Sequence, residues 1–273
     1  MKELAIRAFS GAIYASLLIG SLFLQDASII LIGIFGIISL SELSNLIKLK
    51  GYIHYAVFIL IYGGFWYFCL QNLDVIESDK AIQILTVITI FVNLILIKDL
   101  FTSKRIPLFE SKRYIVSTFY LTSGFVFILL VANYHNSFTP LLLLGALILM
   151  WINDSAAYLV GKNFGKQKLF PSISPKKTVE GFLGGLFFAC VSSYFIAEYT
   201  DTLNFNSWLI LAIVISVFGT LGDLIESKFK RQAGVKDSGV IMPGHGGLLD
   251  RLDSLIFAAP FIYLFLRISG HVS

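Results

Sequence analysis

Apolar runs of bilayer-spanning length recur along this chain, and no other feature constrains its folding as much. They fall at roughly 4–24, 28–47, 53–70, 81–98, 115–133, 139–160, 178–198, 207–226 and 254–268, each close to the ~20 residues a spanning helix needs. Backbone groups in lipid must be satisfied internally, so only helices or a closed barrel cross a membrane. The runs are continuously apolar with no strict alternation, which rules against a barrel. The expected fold is therefore an all-α polytopic integral membrane protein with about nine transmembrane helices. Composition agrees. Only 14% of the 273 residues are charged against about 25% in soluble domains, and the mean hydropathy is +0.81. The basic start and long apolar stretch of residues 1–25, with further spans behind, read as a first helix rather than a signal peptide. Cys69 and Cys190 sit inside apolar runs, and no Cys/His spacing suggests zinc.

Charge in the connections sets the orientation. Lys48 and Lys50 lie in the second loop, and Lys98, Lys104, Arg105, Lys112 and Arg113 in or beside the fourth. Lys162, Lys166, Lys168, Lys176 and Lys177 fall in the sixth, and Lys228, Lys230, Arg231, Lys236 and Arg251 in the eighth. The odd loops hold only Lys80, beside Asp74, Glu77 and Asp79. Cytoplasmic loops carry the lysines and arginines, so the N-terminus and the even loops are expected on the cytoplasmic side. The short loops of residues 1–133 suggest a scaffold of spans, and residues 134–273, with long loops at 161–177 and 227–253, suggest a catalytic region.

Ionisable residues at membrane depth are costly and point to function. Asp154 lies near the cytoplasmic end of the sixth run, and Asp223 and Glu226 lie at that of the eighth. Asp223 and Ser227 share a helix face, and Glu226 is spaced to pair with Lys230. Asp250 and Asp253 share a face at the start of the ninth helix, where Gly244, Gly246 and Gly247 surround His245. Such a glycine-rich turn at a helix N-terminus can form an anion-binding nest. Lys228, Lys230, Arg231 and Lys236 are charge-assisted donors suited to phosphate. In the sixth loop, Ser174 or Thr178 can cap the seventh helix. Lys176 and Lys177 stand at that helix N-terminus, where the macrodipole disfavours cations unless an anion is bound.

These residues carry a resemblance. Ser227 to Arg231, Lys236-Asp237-Ser238-Gly239, Pro243 to Gly247 and Asp250-Arg251-Leu252-Asp253 resemble the signature of the phosphatidate cytidylyltransferases, or CDP-diacylglycerol synthases. A second block, Trp151 to Asp154 followed by Ser174 to Gly181, is similar too. Met242 replaces a Leu, Ile or Phe of the pattern, an apolar exchange. The likeness covers about the last 125 residues, and the first half matches only as spans.

The resemblance implies transfer of a cytidylyl group from CTP to phosphatidic acid, yielding CDP-diacylglycerol and pyrophosphate. It implies Mg²⁺ held by carboxylates, a second cation such as K⁺, and a homodimer. It implies no nucleic-acid partner. Asp223 and Asp250 are the candidate metal ligands, with Asp154, Asp237 and Asp253 as supporting carboxylates. Candidate phosphate ligands are Ser174, Lys176, Lys177, Thr178, Lys228, Arg231, Gly246 and Gly247. Lys236, Asp237, His245, Arg251 and Asp253 are the candidate catalytic residues. The absence of a long N-terminal extension points to a bacterial inner membrane, with the site facing the cytoplasm. A secondary transporter would show paired halves with polar groups near the midplane, whereas here the polar groups cluster at one face of the second half. A CTP-using polyisoprenol kinase would release CDP and no pyrophosphate.

Overall fold

The computed structural model describes residues 2–67, 75–102, 105–134, 137–244 and 246–272. In chain order the helices are α1 (Lys2–Ser21), α2 (Gln25–Ile47), α3 (Ile53–Phe65), α4 (Val75–Phe101) and α5 (Glu110–Ile115). A π-helical segment, Val116–Thr122, joins α5 to α6 (Ser123–Ala132), and α7 (Pro140–Phe164) follows. Strands β1 (Lys168–Phe170) and β2 (Ser174–Thr178) precede α8 (Val179–Thr200), α9 (Phe205–Ala233) and α10 (Leu249–Val272). The fold is that of an all-α membrane protein. Among the described residues, seven helical stretches are long and apolar enough to cross a bilayer, and Phe9–Ser21 and Ile53–Phe65 are shorter apolar helices. Cys69, Lys104 and His245 lie outside the described residues.

Local sequence explains several helix ends. Thr178 caps α8 by accepting a bond from the Gly181 N–H at 3.1 Å, and Asn204 caps α9 through the Ser207 N–H at 2.9 Å. Pro140 opens α7, a position where its missing N–H costs nothing. Gly234, at φ 78°, ends α9 in the left-handed conformation that suits glycine.

Two departures from the expected loops matter for the site. The segment expected as the sixth loop folds in part as an antiparallel hairpin, with Lys168 opposite Thr178 and Phe170 opposite Ser174. Helix α9 continues about two turns past its apolar run, and α10 begins about five residues before its own. Hydropathy misses these turns because they are polar yet packed: Ser227, Lys228 and Lys230 are all buried.

The helix through α5 and α6 is the most enclosed of the spans, and α8 is the least. On the outer side α8 exposes Phe187, Phe188, Tyr194 and Phe195, as a lipid-facing helix can. Small residues let the inner helices approach closely. A Cβ on Gly222 of α9 would lie 2.8 Å from the Asp253 carbonyl of α10.

The four basic connections meet at one end of the bundle. The Arg113 guanidinium donates to the Lys48 carbonyl at 2.9 Å, Phe101 packs against Phe170 with ring centroids 5.4 Å apart, and Arg231 donates to the Ile173 carbonyl at 3.2 Å. At the opposite end Gln25 bonds Asn133 at 2.8 Å, and Arg267 pairs with Asp79 at 2.9 Å.

Candidate active site

The end that gathers the basic connections encloses a cavity of about 1020 Å³. Its wall is built by α1, α7, the hairpin, α8, α9, the 234–248 segment and the start of α10. Five carboxylates (Asp154, Asp223, Asp237, Asp250 and Asp253) face it together with six cations (Lys162, Lys168, Lys176, Lys177, Lys230 and Arg251). The charges nearly balance, so the wall can gather this many acids without a large uncompensated charge.

The pairings within the cavity follow from the helix positions. Lys177, at the end of β2, reaches across to form an ion pair with the Asp223 carboxylate. The same carboxylate accepts from Ser227 Oγ at 3.1 Å, one turn along α9. Burial alone would lower the Lys177 pKa, but the Asp223 carboxylate outweighs it and holds the ammonium above its ordinary value. Lys230 bridges Glu226, on its own helix, and Asp250 Oδ1 at 2.6 Å. The other Asp250 oxygen accepts the N–H groups of Ser238 at 2.9 Å and Gly247 at 2.7 Å. Asp250 is thus fixed through both oxygens. Asp154 is exposed to the cavity and takes a 3.3 Å contact from Asn153 Nδ2. Asp253 is 6% exposed, and its Oδ1 accepts the Ser254 N–H at 2.7 Å.

Of the residues singled out from the sequence, the cavity wall contains Asp154, Lys176, Lys177, Thr178, Asp223, Lys230, Asp237, Asp250, Arg251 and Asp253. Ser174, Lys228, Arg231, Lys236, Gly246 and Gly247 are described but are not part of that wall. Lys228 points away from the cavity. Its Nζ donates to the carbonyls of Asp99 at 2.6 Å and Thr102 at 2.7 Å, around the end of α4. Arg231 spends its guanidinium on the Ile173 and Val235 carbonyls. Thr178 caps α8 while lining the cavity.

At the start of α10, beside the glycine turn expected to bind an anion, the helix N–H groups meet a carboxylate of the protein itself. The carboxylate of Glu42, on α2, accepts the N–H groups of Leu248 at 3.1 Å and Leu249 at 2.7 Å, and Ser238 Oγ at 3.0 Å. Glu42 is 4% exposed. The sequence carried a signal for it, a lone carboxylate inside an apolar segment, but its partners lie some 200 residues away. Two further features were not legible in the sequence: the tie that Lys230 makes between α9 and α10, and the contribution of Gly11, Tyr14 and Ala15 of α1 to the cavity wall.

The donor set on the cavity wall is made of carboxylate oxygens. Carboxylate oxygens are the hard ligands that Mg²⁺ prefers, and Mg²⁺ characteristically takes one or two carboxylates with water and substrate phosphates. Among the described residues no group of three or more His, Cys, Asp or Glu side chains forms a self-sufficient metal cage. Asp223 and Asp250 both line the cavity, and each pairs there with a lysine, Lys177 and Lys230 respectively.

A family model described as "Cytidylyltransferase family" matches residues 5–269. The chain belongs to the cytidylyltransferase family. Among curated members, the phosphatidate cytidylyltransferase of Staphylococcus aureus (strain COL) is 50% identical over 126 residues, 45% of this chain and 48% of that protein. Those of Staphylococcus haemolyticus (strain JCSC1435) and Staphylococcus epidermidis (strain ATCC 12228 / FDA PCI 1200) are each 49% identical over 126 residues, with the same coverage. The match spans about half the length of these relatives. The family model, by contrast, takes in α1 and α2 of this cytidylyltransferase-family chain as well as the cavity of its second half.

Proposed function

We propose that this protein is a phosphatidate cytidylyltransferase, converting CTP and phosphatidic acid to CDP-diacylglycerol and pyrophosphate. The observation that carries the reading is the single cavity in which the hairpin lysines meet the carboxylates of α7, α9 and α10. The name of the staphylococcal relatives supports the substrate pair.

The chemistry asks little of a general base. A phosphate monoester is largely dianionic near neutral pH. One of its oxygens forms a bond to the CTP α-phosphorus, while the bond from that phosphorus to the oxygen leading to the β-phosphate breaks and pyrophosphate departs. The obstacle is charge, because a dianion must approach a polyanion. Catalysis then rests on positioning and electrostatic stabilisation. Lys176, Lys177 and Arg251 neutralise phosphate oxygens from the cavity wall, and Lys236 is the further phosphate donor in the adjoining segment. Lys177 keeps its charge because Asp223 sits beside it. A wall already near balance cannot absorb two more anions unaided, which motivates Mg²⁺ at Asp223 and Asp250, with Asp154 and Asp253 supporting and K⁺ a candidate second cation. When bound, Mg²⁺ supplies Lewis-acid charge neutralisation at the reacting phosphates.

Geometry also favours a lipid substrate. An apolar groove of about 500 Å³ runs along the outer side of α7 and α8, and Trp151 belongs to both its wall and the cavity wall. A phosphate in the cavity can therefore leave its acyl chains against an apolar surface. The membrane arrangement belongs to the same proposal: nine spans, the two short apolar helices included, with the N-terminus and the cavity on the cytoplasmic side of a bacterial inner membrane. Residues 1–133 act as scaffold, 134–273 as the catalytic region, and the active unit is a homodimer.

Pyrophosphate release by the purified protein in detergent–phosphatidic acid micelles with CTP and Mg²⁺ tests the reading. The expected result is release that needs both substrates and vanishes in Asp250→Ala. CDP release without pyrophosphate would overturn it.

A further inference from the structure

We infer that Glu42, in the half of the chain outside the signature region, is a positioning residue that clamps the 236–249 segment and thereby aims Asp250 into the cavity. The inference rests on the reading of Asp250 as a metal ligand. Three observations on different atoms support it. The Glu42 carboxylate occupies the N-terminus of α10, taking the N–H groups of Leu248 and Leu249. Such an N-terminus attracts anions through its free N–H groups and dipole, so a buried carboxylate belongs there and a substrate phosphate is kept off it. Glu42 also accepts Ser238 Oγ, and the N–H of the same Ser238 donates to Asp250 Oδ2. A short chain of hydrogen bonds therefore runs from α2 through Ser238 to the candidate metal ligand.

The third observation is steric. A Cβ on Gly247 would meet both Ser238 Oγ and the Glu42 carboxylate, and a Cβ on Gly239 would meet the Glu42 carboxylate. Gly239 and Gly247 are thus explained by close approach to Glu42, with no phosphate required at Gly247. Glu42 is not part of the cavity wall. It acts through the segment it holds, and outer partners that orient a metal ligand typically alter metal affinity or activity about 10–100-fold when removed.

Glu42→Gln keeps the size of the side chain but turns one acceptor into a donor, so that the Leu248 and Leu249 N–H groups can no longer both be served. Two measurements on detergent-solubilised protein test the proposal. The first is amide hydrogen exchange over 236–250 without substrates or metal, which should speed up at least about 10-fold in Glu42→Gln while the remaining helices keep their protection. The second is the Mg²⁺ concentration for half-maximal pyrophosphate release. It should rise about 10–100-fold, with the KM for phosphatidic acid at saturating Mg²⁺ within about twofold of wild type. Glu42→Asp, one methylene short, should not restore either readout. Ser238→Ala, the second variant should Glu42→Gln fail to fold, should shift both readouts in the same direction, and its effect should not add to that of Glu42→Gln. Unchanged segment exchange and Mg²⁺ requirement in Glu42→Gln would overturn the clamp. So would a lowered unfolding midpoint with an unchanged Mg²⁺ requirement, the signature of a merely structural role. If wild-type protein released no pyrophosphate, the functional reading would fall, and the exchange measurement would still decide whether Glu42 holds the segment.

Discussion

Lys228→Met should destabilise the protein by about 2–4 kcal/mol while leaving the KM for CTP within about twofold, and the numbers follow from what the ammonium touches. Lys228 Nζ lies 2.6 Å from the Asp99 carbonyl and 2.7 Å from that of Thr102, with the Leu100 carbonyl at 3.4 Å. The first two are well within hydrogen-bond range and the third is at its edge. Bonds involving a charged group contribute about 1.5–3 kcal/mol each, so two of them amount to roughly 3–6 kcal/mol. Thr102 is exposed, so water can replace part of what is lost and bring the net cost to about 2–4 kcal/mol. Methionine keeps the buried stem, which separates the ammonium from its packing. The assay is an unfolding titration in mixed SDS–detergent micelles beside steady-state kinetics. An unchanged unfolding midpoint together with a KM for CTP raised more than tenfold would refute the reasoning and return Lys228 to the phosphate ligands.

Three further outcomes are expected. Lys177→Met should lower kcat/KM for CTP by about 10²-fold, as removal of a preorganised electrostatic donor does. Because the Lys177 pKa is raised above 10.5, its stabilising pair with Asp223 is fully present below the unfolded value of about 10.4 and is lost as pH climbs through the higher folded value; the difference in unfolding midpoint between wild type and variant should stay constant from about pH 7 to 10. Gly246→Ala places a Cβ at φ 86° and 2.6 Å from Asp250 Oδ2; the backbone cost alone is about 1–2 kcal/mol, and kinetics should show at least a tenfold loss of kcat. Gly222→Leu would force α9 and α10 apart beside Asp253, so pyrophosphate release should fall more than tenfold in protein that still inserts into membranes, measured by activity per unit of membrane-extracted protein.

Legibility in the sequence depended on how local each interaction is. Helix caps such as Thr178 and the pair Asp223–Ser227 lie within four residues along the chain, and the structure contains both. The Glu226–Lys230 pairing was also readable, but its third member, Asp250, comes from the next helix. Lys228 and Lys230 stand two residues apart with the same charge and different partners. No composition rule separates them, because helix phase turns one toward α4 and the other toward α10. The polar turns of α9 beyond its apolar run were invisible to hydropathy for the same reason: their burial depends on partners supplied by other helices.

What the sequence determined alone is the all-α membrane character, the recurrence of long apolar segments, the concentration of basic residues in alternate connections and the family signature. Each of these rests on short-range chemistry: the length of an apolar run, the cost of charge in lipid, the spacing of polar residues. Only the tertiary structure decided which acids receive which cations, and that α2 of the first half reaches the signature segment through Glu42. That contact joins residues some 200 positions apart. Its hydrogen bonds exist because a buried carboxylate must find donors and a buried helix N-terminus must find an acceptor, and packing alone determined that the two would meet.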